Sequence, residues 1–281
     1  MPSKRLKRQP QQTLFLPLAI SLLSVLLCLQ SQVKAESSLP NLLTQASETP
    51  NSEAGKLLAQ GIEQLDNNKL NAALESFQQA LTLQRQMGNR LGEAVILNNL
   101  GVTYYYQGQY EKAIASYRES MQLLWKVYDR AGIGATLNNQ SIASLQLGDY
   151  RKAIEFCHGA IAIFRTLGDP TREAAALNNM GIAYEKLDDY GRAVGYFREA
   201  LTTAQDNSDH PGEMVALKNL EDAYSKLGQL EKVKEVEQQV LLVQEEIRKQ
   251  GNTIGSVSSN DYLLLRQHER SLAMIFSNTS L

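Results

Sequence analysis

Few residues in this chain have the spacing of a reaction centre. The three histidines, His158, His210 and His268, lie far apart, and none stands at metal-ligand spacing from another histidine or from Cys157. No glycine-rich phosphate loop is present, because the glycines recur at positions suited to helix packing and turns. The paired acids Asp188 and Asp189 fall in a turn signal, where capping and solvation are the ordinary duties. Cys157 occupies a slot that aromatic residues hold in neighbouring segments, so it is expected to be a buried thiol and not a nucleophile. This pattern predicts a chain without catalysis, metal ion or cofactor.

Asparagine is the polar residue that does recur in register. Leu97-Asn98-Asn99-Leu100-Gly101 returns as Leu137-Asn138-Asn139-Gln140-Ser141 and again as Leu177-Asn178-Asn179-Met180-Gly181. A worn copy follows at Leu217-Lys218-Asn219-Leu220-Glu221, and a faint one precedes at Leu57-Leu58-Ala59-Gln60-Gly61, each starting 40 residues after the last. An asparagine side chain carries a donor and an acceptor, so one per unit can satisfy both polar groups of a peptide bond on an extended ligand. The candidate binding residues are Asn98, Asn99, Val102, Tyr105 and Tyr106, then Asn138, Asn139 and Ile142. Asn178, Asn179, Ile182 and Lys186 continue the face, and Lys218, Asn219 and Lys226 end it. Val102, Ile142 and Ile182 would form an apolar floor, with the tyrosines at one end and the lysines, suited to an acidic group, at the other. The competing duty is structural: one asparagine of each pair bonding the backbone of the neighbouring unit. The first of each pair is equally suited to either role, and the second is expected to meet the ligand.

Two helices per unit must position these residues. Gly108, Gly148 and Gly228, with Asn68 and Asp188, fall at one phase and suit the left-handed backbone of a turn. Tyr110, Tyr150 and Tyr190 follow and open a second helical pattern. Ala113, Tyr117 and Ser120, spaced four and three apart, share one face of that second helix, as do their counterparts in the other units. A second turn at Gly88-Asn89 and Gly168-Asp169-Pro170 separates unit from unit. Fixed periods of this length mark supersecondary units that bury their apolar faces only by stacking. The fold class expected is all-α, an α-solenoid of about five stacked helix–turn–helix repeats with C-terminal capping helices.

Leu100, Gly101, Tyr104, Gly108, Ala113, Tyr117 and Ser120 resemble the tetratricopeptide repeat pattern, and the same positions one and two units later are expected to follow it. The 40-residue unit with Leu-Asn-Asn-Leu-Gly is similar to the longer-helix variant of G-protein-signalling modulators, to bacterial arrays, and to the double-asparagine helix of kinesin light chains. That resemblance implies a non-catalytic scaffold whose concave groove holds a protein or peptide segment by its backbone. Bacterial arrays of this kind often precede a caspase-like protease domain, so a regulatory role beside a separate enzyme is one alternative. Self-association with an empty groove is another.

The units divide at about 54–90, 91–130, 131–170, 171–210 and 211–250. Residues 1–35 read as a signal peptide, with Lys4, Arg5, Lys7 and Arg8 before an apolar stretch from Leu14 to Leu29 and Val33-Lys34-Ala35 at the cleavage position. An uncleaved membrane anchor is the alternative, and Leu27 before Cys28 is too bulky for a lipoprotein signal. Cleavage predicts an exported chain, secreted or periplasmic. It would remove five of the 28 basic residues and no acid, leaving 23 against 30 acids, a net charge of −7. Such a balance gives no electrostatic footprint for nucleic acid or anionic lipid. With Cys28 gone, Cys157 has no intramolecular partner. Residues 36–53 read as a flexible linker and 251–281 as a linker followed by a terminal helix that caps the array or lies in its groove.

Overall fold

The computed structural model describes residues 52–251. The expectations for the signal peptide, for most of the first linker and for the terminal helix lie outside these residues. Ten helices follow one another without a strand among the described residues. They are α1 Glu53–Asp66, α2 Leu70–Met87, α3 Arg90–Tyr106, α4 Tyr110–Val127, α5 Arg130–Gln146, α6 Tyr150–Leu167, α7 Pro170–Glu185, α8 Tyr190–Asp206, α9 His210–Lys226 and α10 Leu230–Gly251. Each odd-numbered helix pairs with the even-numbered one after it, and every helix of the first four hairpins also packs on the next hairpin.

The turns are specified locally. Inside the hairpins, Asn68, Gly108, Gly148, Asp188 and Gly228 take positive φ. The chain then folds back on the end of the preceding helix, as where Gln109 N–H donates to the Tyr104 carbonyl at 2.9 Å. Between hairpins, the side chains of Asn89, Asp129, Asp169 and Asp209 cap the first helix of the next unit, each accepting from the backbone N–H three residues on. Helix starts are thus set every 40 residues by one side-chain oxygen.

Within a hairpin, the small residue of the first helix faces an aromatic ring of the second. A Cβ added at Gly61, Gly101 or Gly181 would lie 2.6, 2.6 or 2.5 Å from Cδ1 of Phe77, Tyr117 or Phe197. Those rings are almost completely buried. The third hairpin solves the same contact with the sizes redistributed: Ser141 on α5 faces Cys157 on α6, and both are fully buried. This hairpin therefore departs from the pattern expected of it, with Gln140, Ser141, Ser144 and Cys157 where its neighbours carry a large apolar residue, glycine, tyrosine and an aromatic.

Successive first helices also touch one another, α1 with α3, α3 with α5, α5 with α7 and α7 with α9, while successive second helices come into no contact of that extent. Stacked hairpins that meet more closely on one side must curve toward it. The first helices therefore line the inner side of the solenoid. At the far end Val236 and Val243 of α10 are buried, and Val233 and Val240 pack beside them. Leu230 and Ile247, apolar residues of the same helix, are 66% and 40% exposed.

Candidate peptide-binding face

The asparagines lie on the side where first helices meet, and they are bonded to each other across the repeats. Asn139 Nδ2 donates to Asn98 Oδ1 at 3.2 Å, Asn179 Nδ2 to Asn138 Oδ1 at 2.9 Å, and Asn219 Nδ2 to Asn178 Oδ1 at 3.2 Å. The second asparagine of each unit thus stitches onto the first asparagine of the unit before. Thr136 Oγ1 adds a longer bond to Asn98 Oδ1 at 3.4 Å. Asn99 has Leu58 where a partner would stand one unit earlier, and its Nδ2 bonds the Val95 carbonyl of its own helix at 3.0 Å.

These bonds add a structural duty to the division of labour expected from sequence. Both members of the pair fix the superhelix, and they do so side chain to side chain instead of through backbone. The physical reason is proximity: inner helices in contact bring residues 41 apart within one hydrogen bond. Only half of each amide is used. Nδ2 of Asn98 and Asn138, and Oδ1 of Asn139 and Asn179, have no protein partner among the described residues. Asn178 is only 3% exposed, so it contributes to the stitch more than to an open surface.

The remaining candidates divide. Val102 and Ile182 are half-buried and pack on the core, and Ile142 is also half-buried. Tyr105 and Tyr106 are half-buried too, one edge-on to the other with centroids 5.6 Å apart. Tyr105 packs toward Ala143 of the next unit and shares a side-chain hydrogen bond with Gln146, while Tyr106 packs toward the first hairpin. Burial, reinforced by Tyr110 and Tyr106 nearby, pushes the Tyr105 hydroxyl up to about 12. It therefore stays a neutral hydrogen-bonding group at any physiological pH.

At the other end Lys218 is engaged by Glu221 at 3.3 Å and Asp222 at 3.4 Å. Those two acids outweigh the cost of its partial burial and raise its pKa. Lys186 and Lys226 are exposed and form no ion pair among the described residues. Glu185 beside them is held above the usual carboxylate range, mainly by burial. Cys157 is buried, and burial pushes its thiol up to about 12 against a weaker opposing bond from Ser141. Among the described residues no group of three or more His, Cys, Asp or Glu is placed to hold a metal ion. No described helix is long and apolar enough to cross a membrane.

A curved stack of helical hairpins, with polar amides and half-buried apolar residues along its inner helices, defines an α-solenoid repeat scaffold. The tetratricopeptide repeat model matches residues 62–124 and 132–206, and the chain belongs to that family. Solved structures share the fold at low sequence identity. The putative kinesin light chain TPR-like repeats of Podosopora anserina align with a TM-score of 0.59 and 17% identity over 70% of this chain and 98% of theirs. BtubC (BKLC) from P. vanneervenii aligns at 0.64 and 17%, over 81% of this chain and 92% of its own. A Rap protein, solved in complex with competence and sporulation factor, aligns at 0.60 and 19%, over 70% of this chain and 56% of that one. No curated protein matches.

Proposed function

We propose that this chain is an exported, non-catalytic scaffold that holds an extended peptide or protein segment along its inner helices. The observation that carries the reading is the row of half-used amides. The stitched pairs Asn98–Asn139 and Asn138–Asn179 each keep a donor nitrogen and an acceptor oxygen that backbone groups of a ligand can meet. Acidic residues of the ligand, or its C-terminal carboxylate, lie toward Lys186 and Lys226. The Rap structure, in complex with competence and sporulation factor, supports the reading by analogy of fold.

Affinity capture from envelope extract tests it, using the chain from Glu36 onward and its Lys186→Glu/Lys226→Glu variant as paired baits. Both lysines are exposed, so the variant should keep its helicity. A partner retained by the first bait and lost from the second, in a salt-sensitive manner, supports the groove. Equal capture by both would place binding on another surface. One observation favours a second reading. Leu241 and Leu242 of α10 are 65% and 62% exposed at the end of the stack, where a second copy of the chain would cover them. Light scattering across a concentration series separates that association from the monomeric scaffold.

A further inference from the structure

The junction of the second and third hairpins is built unlike those around it. In hairpins two, four and five the first helix carries Tyr104, Tyr184 or Tyr224, and a cation eight residues later lies over the ring. Lys112 stands 5.7 Å, Arg192 4.4 Å and Lys232 5.1 Å from the respective centroids. In the fourth hairpin the ring also stacks on Tyr196, with centroids 5.3 Å apart and planes 2° from parallel. The third hairpin keeps the frame and lacks the ring. Phe156 stands in the position of Tyr196, Lys152 in that of Arg192, and Ser144 in that of Tyr184.

A cavity of about 390 Å³ opens there between α4, α5 and α6, lined by Ile114, Met121, Leu137, Ser144, Lys152 and Phe156 among others. Ser144 is 1% exposed and its Oγ has no hydrogen-bond partner. A buried hydroxyl in that state is costly unless something occupies the space before it. Lys152 has no ring beneath it and pairs with Asp149 at 2.5 Å, as Arg192 does with Asp189. The outer edge is open as well. Charged clasps join the second helices on either side, Arg85 with Glu93 and Glu119, and Arg165 with Glu173 and Glu199. At this junction the three clasp positions are Trp125, Ile133 and Gly159, and Trp125 stands 61% exposed at the mouth.

We propose that this cavity receives an aromatic side chain, tyrosine in the first place, presented by an acidic segment of a protein partner. The site has the fittings of the ring it lacks: Phe156 to stack on that ring and Lys152 to lie over it. A ring entering from solvent arrives tip first, which brings a phenolic oxygen to the unpartnered Ser144 Oγ. The rim holds two cations, Arg118 and Lys152, against Asp149 alone. That net positive charge complements the negative face of a ring and acidic residues flanking it. The site lies on the second-helix side, away from the asparagines, so its failure would leave the groove reading standing.

The test uses the chain from Glu36 onward and the acetylated, amidated tripeptide Glu-Tyr-Glu, with Glu-Ala-Glu as control. Trp125 is the chain's single tryptophan, so its emission reports on the mouth of the cavity. The expected result is a saturable blue shift with the tyrosine peptide and none with the control. Ser144→Tyr, which supplies the chain's own ring, should weaken binding at least tenfold and raise the melting temperature. If Ser144→Tyr loses helicity, Lys152→Met decides instead, because that side chain is largely exposed and its removal should weaken binding about two- to fivefold. No saturable shift in the parent chain would overturn the proposal. So would equal response to the control peptide, unchanged binding in the folded Ser144→Tyr protein, or, where that variant does not fold, unchanged binding by Lys152→Met.

Discussion

The exchange of sizes between the first and second helix of a hairpin makes a double-mutant prediction with a native template. Gly181 packs against Phe197, while Ser141 packs against Cys157 at the same two positions one unit earlier. Gly181→Ser alone places a side chain where a Cβ would already sit 2.5 Å from Phe197 Cδ1, roughly an ångström closer than ordinary contact. Phe197 is fully buried and cannot swing to solvent, so the helices must separate, at a cost of about 1–3 kcal/mol. Phe197→Cys alone empties the space of a ring, for which large-to-small core changes cost about 3–5 kcal/mol. The double variant reproduces the Ser–Cys pair, in which the smaller second side chain leaves room for the larger first one. It should be more stable than the sum of the singles implies, with a coupling of about 1–3 kcal/mol, inside the range of about 0.5–3 kcal/mol found for residues in contact. Urea unfolding at constant slope gives each value. Additivity within about 0.5 kcal/mol would refute the reasoning, because the two positions would then not share one contact.

Three further outcomes follow from the structure and the sequence. Gln84 is 1% exposed with neither amide atom partnered, in a slot where Leu124 and Phe164 sit in later units, so Gln84→Leu should stabilise by about 1–3 kcal/mol. A lowered melting temperature would mean that this amide has a partner. The protons on Cys157 and Tyr105 are held more tightly in the folded chain, each pushed up to about 12 chiefly by burial. Their contribution to stability is full below the unfolded values of 9.0 and 10.0 and is lost as pH rises from there toward about 12. Urea midpoints should fall across that window, and Cys157→Ala should delay the onset; a flat profile contradicts the burial. For the leader, N-terminal sequencing of exported protein should begin at or near Glu36, and retention of Met1 would overturn cleavage.

The architecture was legible because it is periodic. The 40-residue return of Leu-Asn-Asn, the turn residues from Asn68 to Gly228 and the Gly101–Tyr117 spacing each state a local packing rule, and repetition separates the rule from chance. The caps Asn89, Asp129, Asp169 and Asp209 carried an equally regular signal, and only Asn89 and Asp169 stand out without the turn geometry, because Tyr128 and Ser208 occupy the left-handed position in place of glycine. The stitch was hidden for a different reason. Asparagine at one phase says that a polar group faces one way, but whether it meets a ligand or another asparagine depends on how closely the inner helices approach, which no single unit encodes. Spacings of 41, one more than the period, were the trace it left: each bond joins the second asparagine of one unit to the first of the unit before. The third hairpin shows the converse. Its departures at Gln140, Ser141, Ser144 and Cys157 look like decay when each is compared with the pattern alone. Taken together, two of them compensate each other and the other two leave a cavity, so the distinction between repair and vacancy lies in which side chains the stack brings face to face.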